Sequence, residues 1–265
     1  MIKKIALFLT VIIIISTFNL HAFANNETFS WYCKRTKDHT QPLADNNLEF
    51  ITEYGGYYVD KKHGNDCDDK VIYLTFDAGY ENGNVAKVLD ALKEENVTAT
   101  FFILDLLLIK NLDLVNRMIN EGHTVANHTA KHRDISRILS KDELQAELSA
   151  LETLFKEKTG KDMPKYFRPP EGRFSRQSMQ YAHELGYKTI FWSFAYADWD
   201  NGNQMSPESA KAKIMDNIHN GAILLLHPTS ETNARILADV IRELKVQGFR
   251  FGTMDELTQR NNETR

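Results

Sequence analysis

Cysteine is nearly absent from this chain, with two residues, Cys33 and Cys67, in 265. That excludes a disulfide-dense small fold and a four-thiolate metal site. Proline is also scarce, at 6 residues, and 13 glycines show no regular period, which excludes collagen-like and proline-rich segments. Internal repeats are missing, so a solenoid is excluded. Neither charge sign dominates, because 32 lysine and arginine residues stand against 36 acidic ones. The resulting net charge of −4 argues against a broad nucleic-acid surface or a polybasic membrane patch.

Hydrophobic residues make up 42% of the chain and charged residues 26%, enough apolar material for the core of one large domain. The only long apolar run lies at the start. Lys3 and Lys4 precede an uncharged stretch from Ile5 to Leu20 that ends at Ala22, Phe23 and Ala24. This is the pattern of a secretory signal peptide over residues 1–24, cleaved after Ala24. An uncleaved anchor is the alternative, although the run is short for a membrane span. Either way the expected location is outside the cell or in its envelope, where disulfides form. A Cys33–Cys67 bridge and two free thiols both stay open, since sequence spacing does not show whether the sulfurs meet.

Residues 25–69 lack a secondary-structure rhythm and read as an N-terminal arm, with a polar tail at 259–265. Between them, at 70–258, helical stretches alternate with short apolar runs. The runs fall at 71–76, 97–103, 124–126, 166–167, 189–192, 222–226 and 249–251. Gly122, Gly160, Gly186, Gly221 and Gly248 sit where a helix would close in the left-handed region. Ser140 with Glu143 has the spacing of a capping box, and Ser206, Pro207 and Glu208 give an N-cap, an N1 proline and an acid in order. Leu144, Leu148, Leu151 and Phe155 form one stripe of an amphipathic helix. Strands alternating with helices predict an α/β fold with a parallel sheet, either open or closed into a distorted barrel, with function at the carboxyl ends of its strands.

Five polar residues follow five of these runs: Asp77, His128, Arg168, Asp198 and His227. Any one alone would more often be a cap or turn former. Together they define one rim. His128 and His132 have the i, i+4 spacing that places two imidazoles on one face of a helical turn, within reach of one metal ion. Such ligands suit zinc or another borderline divalent ion better than calcium or magnesium. Asp77 reads as a general base toward water, Arg168 as the cation that keeps it ionised, and His227 paired with Asp198 as a general acid.

The segments Thr75-Phe76-Asp77, His128-x-x-x-His132, Arg168-Pro169-Pro170-Glu171-Gly172, Asp198-Trp199 and Leu224-Leu225-Leu226-His227 resemble, in order and approximate spacing, the NodB-like polysaccharide deacetylases, carbohydrate esterase family 4. The resemblance implies a distorted (β/α)7 barrel, the NodB homology domain, that removes acetyl groups from N-acetylated sugars with a divalent metal. Zinc comes first, with cobalt or manganese as alternatives. It further implies Asp77 as base, His128 and His132 as metal ligands, Arg168 as orienter of the base, and Asp198 with His227 as acid. Trp199 and Leu226 would line the pocket for the acetyl methyl, with Tyr80 and Pro170 among the substrate contacts.

One position departs, because Ala78 stands where most members carry a second acid, the third metal ligand. The resemblance then implies weaker metal binding, with the missing ligand replaced by water, by Asp77 or by Glu81, whose alternative role is to cap the next helix. Together with Ser30-Trp31-Tyr32 and Ala195-Tyr196-Ala197, the motif around Asp77 is similar to the sporulation-type, delta-lactam-biosynthetic subgroup, which tolerates a non-acid there. The implied substrate is N-acetylmuramic acid in peptidoglycan strands already stripped of peptide by an amidase. A lactyl carboxylate would want a cation, for which Arg173 is a candidate and a solvated surface role its alternative. The implied protein is a monomer without nucleic-acid partners. Deacetylation of N-acetylglucosamine polymers, or glycan binding without catalysis, are the alternatives.

Overall fold

In the computed structural model, residues 27–36 and 38–259 are described, so the leader expected at 1–24 and most of the polar tail lie outside the described residues. Eight strands form one parallel sheet: β2 (Gly56–Tyr57), β3 (Val71–Ala78), β4 (Thr100–Ile103), β5 (Thr124–Asn127), β6 (Tyr166–Phe167), β8 (Lys188–Ile190), β9 (Ala222–Leu226) and β10 (Arg250–Phe251). Every apolar run expected to be a strand contributes to it. The order is β10-β3-β4-β5-β6-β8-β2, with β9 along the other edge of β3. Beyond β8, Phe194 bridges to Leu224 of β9, so the sheet curls round and its ends approach each other. This is the expected distorted barrel.

Period-two alternation sorts each strand between two cores. On β3, Ile72, Leu74, Phe76 and Ala78 join the layer beneath helices α2 (Val85–Glu94), α4 (Leu112–Asn120) and α8 (Glu231–Val246). Val71 and Tyr73 face the other way, against Phe102, Ile223 and Leu225. Asp77 shares the parity of Tyr73 and Thr75, and that alone turns its carboxylate inward while Ala78 packs outward.

Helices α5 (Lys141–Thr159), α6 (Arg176–Glu184) and α7 (Pro207–Met215) complete the surround, with short helices at Phe50–Glu53, Asp105–Lys110 and Met254–Thr258. The Leu144, Leu148, Leu151 and Phe155 stripe of α5 is buried throughout. Ser140 caps it by accepting from Glu143 N, and Gly160 ends it at φ 71°. Glu143 does not accept from Ser140 N in return; its carboxylate accepts from Leu139 N instead. Ser206 caps α7, with Pro207 in its first turn.

The sequence pattern missed the pairing of the arm. Strand β1 (Thr28–Ser30) runs antiparallel to β7 (Arg173–Ser175), and β2 adds a parallel edge to β8. Neither is long enough to show periodicity. Trp31, buried, then packs between Tyr58 and Phe191, each with ring centroids 5.0 Å away. Cys33 and Cys67 are both free thiols.

Candidate active site

At the carboxyl ends of the strands a cavity of about 650 Å³ opens, lined by Asp77, His128, His132, Glu171, Trp192, Leu225 and His227 among others. Arg168 lies fully buried beneath it, at the end of β6. Its guanidinium donates from NH1 to Asp77 Oδ1 at 2.9 Å and from NH2 to Thr75 Oγ1 at 2.9 Å. Nε and NH2 also donate to the Ile190 and Phe191 carbonyls, at 2.9 and 3.2 Å. So committed, the arginine cannot swing away, and Asp77 is held in one orientation. Burial opposes ionisation of Asp77, but His128 and Arg168 reverse that, and its pKa falls below the ordinary carboxylate value. His128 is itself pushed down to about 4 by burial, so at neutral pH the permanent charge of Arg168 is what keeps Asp77 ionised.

The expected helical turn over 128–132 is absent. Thr129 and His132 have φ of 67° and 56°, in the left-handed region, and the segment is a loop. Asn127 causes the reversal, because its Oδ1 accepts from Thr129 N at 2.8 Å and supplies the local bond that makes such a φ tolerable. The two imidazoles meet nonetheless, their ring centroids 5.1 Å apart. His128 Nδ1–H donates to the Arg168 carbonyl at 2.8 Å, leaving the Nε2 lone pair toward Asp77 Oδ2, 3.5 Å away.

The two neighbouring imidazoles fit a borderline divalent ion, and His128 has its tautomer fixed from behind as metal-ligating histidines have it. A full cluster of three His, Cys, Asp or Glu ligands does not occur among the described residues. Glu81 does not fill the gap left by Ala78. Its carboxylate accepts from Gly83 N at 2.6 Å and Val85 N at 3.0 Å, the capping role.

On the opposite wall Asp198 is buried and accepts from His227 Nδ1 at 2.7 Å and from His227 N at 2.8 Å. Asn233 Nδ2 donates to the same carboxylate at 2.5 Å and to the His227 carbonyl at 3.2 Å. Burial alone would lower the His227 pKa, but the bond to Asp198 and its charge outweigh it, and the value is raised. Nδ1 being tied to Asp198, Nε2 is the nitrogen left to serve the cavity. Asn233 was not singled out in the sequence, although it stands three residues after the N-cap Ser230 of α8, where a side chain reaches back over the helix start.

Three expected substrate contacts are displaced. Leu226 does not line the cavity: it packs in the outer layer with Ile72 and Leu74, while Leu225, of the same parity as His227, takes the wall position. Arg173 is turned to Asp134, 3.3 Å away, because β7 is spent on pairing with the arm. Pro170 is buried, and its neighbour Glu171, at φ 56°, is the residue that faces the cavity. Trp199 and Tyr80 do stand there, at the mouth, 64% and 43% exposed, with Asn201 Nδ2 donating to the Tyr80 hydroxyl at 2.9 Å. Trp199 is thus a rim residue, and the enclosed apolar wall is made by Trp192 and Leu225.

Comparison with known proteins gives the same frame. The family model for polysaccharide deacetylase matches residues 64–190. The peptidoglycan-N-acetylmuramic acid deacetylase PdaA of Bacillus subtilis is 40% identical over 88% of this chain and 86% of its own length. The chain belongs to the polysaccharide deacetylase family. Two solved structures extend the likeness to the fold. That of Bacillus subtilis PdaA, a family 4 carbohydrate esterase, superposes with a TM-score of 0.81 at 39% identity, covering 88% of this chain and 97% of that one. A family 4 carbohydrate esterase from Bacillus anthracis gives 0.71 at 35% identity, covering 89% and 98%. Deacetylases of this family are hydrolases of an amide bond and generally depend on a divalent metal.

Proposed function

We propose that this protein removes the N-acetyl group of N-acetylmuramic acid in peptidoglycan. The carrying observation is that one cavity holds a carboxylate kept ionised by Arg168 and, facing it, an imidazole whose protonated form is favoured by Asp198. A base and an acid pushed apart in pKa by their surroundings are what hydrolysis of an amide requires. Asp77 takes a proton from water as its oxygen bonds to the acetamide carbon. When the tetrahedral adduct collapses, the C–N bond breaks, acetate leaves, and His227 Nε2–H protonates the departing amine. His128 and His132 would hold the divalent ion, zinc first, whose chemistry when bound is to polarise the carbonyl and favour ionised water. Leu225 and Trp192 offer the apolar wall for the acetyl methyl, and Trp199 and Tyr80 the rim for neighbouring sugars.

The product amine lies beside the lactyl group of the same sugar. If that group ends in a free carboxylic acid, attack of the amine with loss of water closes a six-membered lactam. An amide-linked peptide would block this, so the reading places a peptide-stripping amidase upstream, in the making of spore cortex. The similarity to a protein named for N-acetylmuramic acid supports that substrate over N-acetylglucosamine polymers. The N-terminal pattern supports export to the cell envelope.

The test is acetate release and mass loss on peptide-free muramic strands, peptide-bearing strands and chitin oligosaccharides, each with zinc and with chelator. Acetate from the first alone, abolished by chelator and restored by zinc, is the expected result. Glycan binding without acetate from any strand would sink the reading.

A further inference from the structure

We propose that Arg35, on the N-terminal arm, is the cation that reads the carboxylate of the substrate, so that the arm completes the specificity of the site. This rests on the reading above, in which the lactyl group arrives as a free acid. An ionised carboxylate entering a partly enclosed cavity needs a cation or an array of N–H donors. The cavity wall carries no lysine or arginine: its acids are Asp77 and Glu171, and its imidazoles, those of His128, His132 and His227, are given to the metal and to the leaving amine. Arg168 beneath it spends four of its five N–H donors on Asp77, Thr75 and two carbonyls. Arg173 pairs with Asp134, and Lys131 near the histidine loop pairs with Asp105.

The arm is fastened to two walls of this cavity. Trp31 N donates to the Gly172 carbonyl at 2.8 Å, next to Glu171, and Trp31 Nε1 donates to the Trp192 carbonyl at 2.8 Å. The fit is close enough that a Cβ on Gly172, at φ 64°, would lie 2.7 Å from the Trp192 ring and 3.1 Å from the Trp31 side chain. Four residues on, exposed Arg35 donates from NH2 to the carbonyl of Ala195, a wall residue, at 2.7 Å. Its guanidinium carbon stands 5.4 Å above the Phe194 ring. Among the described residues no carboxylate pairs with it. One donor thus fixes the group beside a wall residue, and its other N–H groups are available to an anion. Glu171, on the wall, repels that anion, which orients the sugar with its lactyl end toward Ala195.

The experiment uses the whole protein with zinc and two substrates: peptide-free muramic strands, and the same strands with the lactyl carboxylate converted to its methylamide. Wild type should favour the free acid by about 10-fold in kcat/KM, the size of one partly exposed charge-assisted bond. Arg35→Ala should lose that preference through KM, with kcat and Tm unchanged, and match wild type on the methylamide. Arg35→Lys should keep most of it. An unchanged KM of Arg35→Ala on the free acid, with wild type active, overturns the proposal. Wild type that releases no acetate from either strand would instead overturn the functional reading.

Discussion

Two charged clusters flank strand β3, one at each end, and both contain an aspartate, a histidine and an arginine. At the amino end, buried Asp60 accepts from the Tyr73 hydroxyl at 2.5 Å, His63 Nδ1 at 2.6 Å and Lys62 N at 2.9 Å. His63 Nε2 lies 3.2 Å from Asp69, and Arg250 is shared between Asp69 and Glu256. Every charge there has a protein partner, and the cluster ties the arm to the barrel. At the carboxyl end the same residue types leave a face uncommitted: the Nε2 atoms of His128 and His227 and one oxygen of Asp77 border a cavity. Residue identity therefore does not separate an active site from a structural clasp. The difference is whether the polar atoms are used up.

Matched substitutions break the comparison most severely. Asp77→Asn should lower kcat for acetate release by roughly 10²–10⁴-fold in the folded enzyme, the share of a positioned base, and should also cost stability because it leaves the charge of buried Arg168 unpaired. Asp60→Asn should lower stability alone, since removing one member of a buried pair costs about 3–5 kcal/mol, or a Tm drop of roughly 6–20 °C, with kcat intact. Assays of both variants at a temperature where both are folded check this. Equal loss of activity in the two would erase the distinction.

The sequence carried more of the upper cluster than of the lower. The alternation of strands and helices marked where each parallel strand ends, so Asp77, His128, Arg168, Asp198 and His227 were legible as rim residues before any coordinate. What it hid depends on parity and loop geometry. The family resemblance implies Leu226 for the wall, yet on a strand adjacent residues face opposite sides, and the i, i+2 relation to His227 points to Leu225. The spacing of His128 and His132 suggested a helix, whereas an Asn127 turn brings the rings together. Asp60 and His63 lay in the arm, whose contacts with Tyr73 and Arg250 span sequence separations that no local pattern encodes.

A smaller effect separates the two partners of the acid. Asp198→Asn removes the charge that raises the His227 pKa, so His227 should lose its proton at lower pH and the alkaline limb of the kcat/KM profile should move down. The sign for stability follows. A group with a raised folded pKa stabilises fully below its unfolded value of about 6.5, and that contribution fades as pH rises through the folded value. Wild type should therefore gain stability over Asp198→Asn at low pH rather than high. His128 works in the opposite sense, because with a folded value of about 4 its contribution is present above the unfolded value and lost as pH falls toward 4. A variant whose alkaline limb coincides with wild type would show that Asp198 merely packs.

The finest test lies within two neighbouring leucines of β9. Leu225 faces the cavity and Leu226 the helical layer, so truncating each probes one face of the same strand. Leu225→Ala should widen the apolar wall and lower kcat/KM about 10-fold, the worth of about 1–3 kcal/mol of pocket contact to the acetyl methyl. Leu226→Ala should leave the kinetics of the folded enzyme alone and cost about 2–5 kcal/mol of stability through the hole it makes. Propionyl in place of acetyl sharpens the reading, since the added methylene should be accepted better by Leu225→Ala than by wild type. An unchanged acyl preference in Leu225→Ala would mean that the methyl is received elsewhere in the cavity.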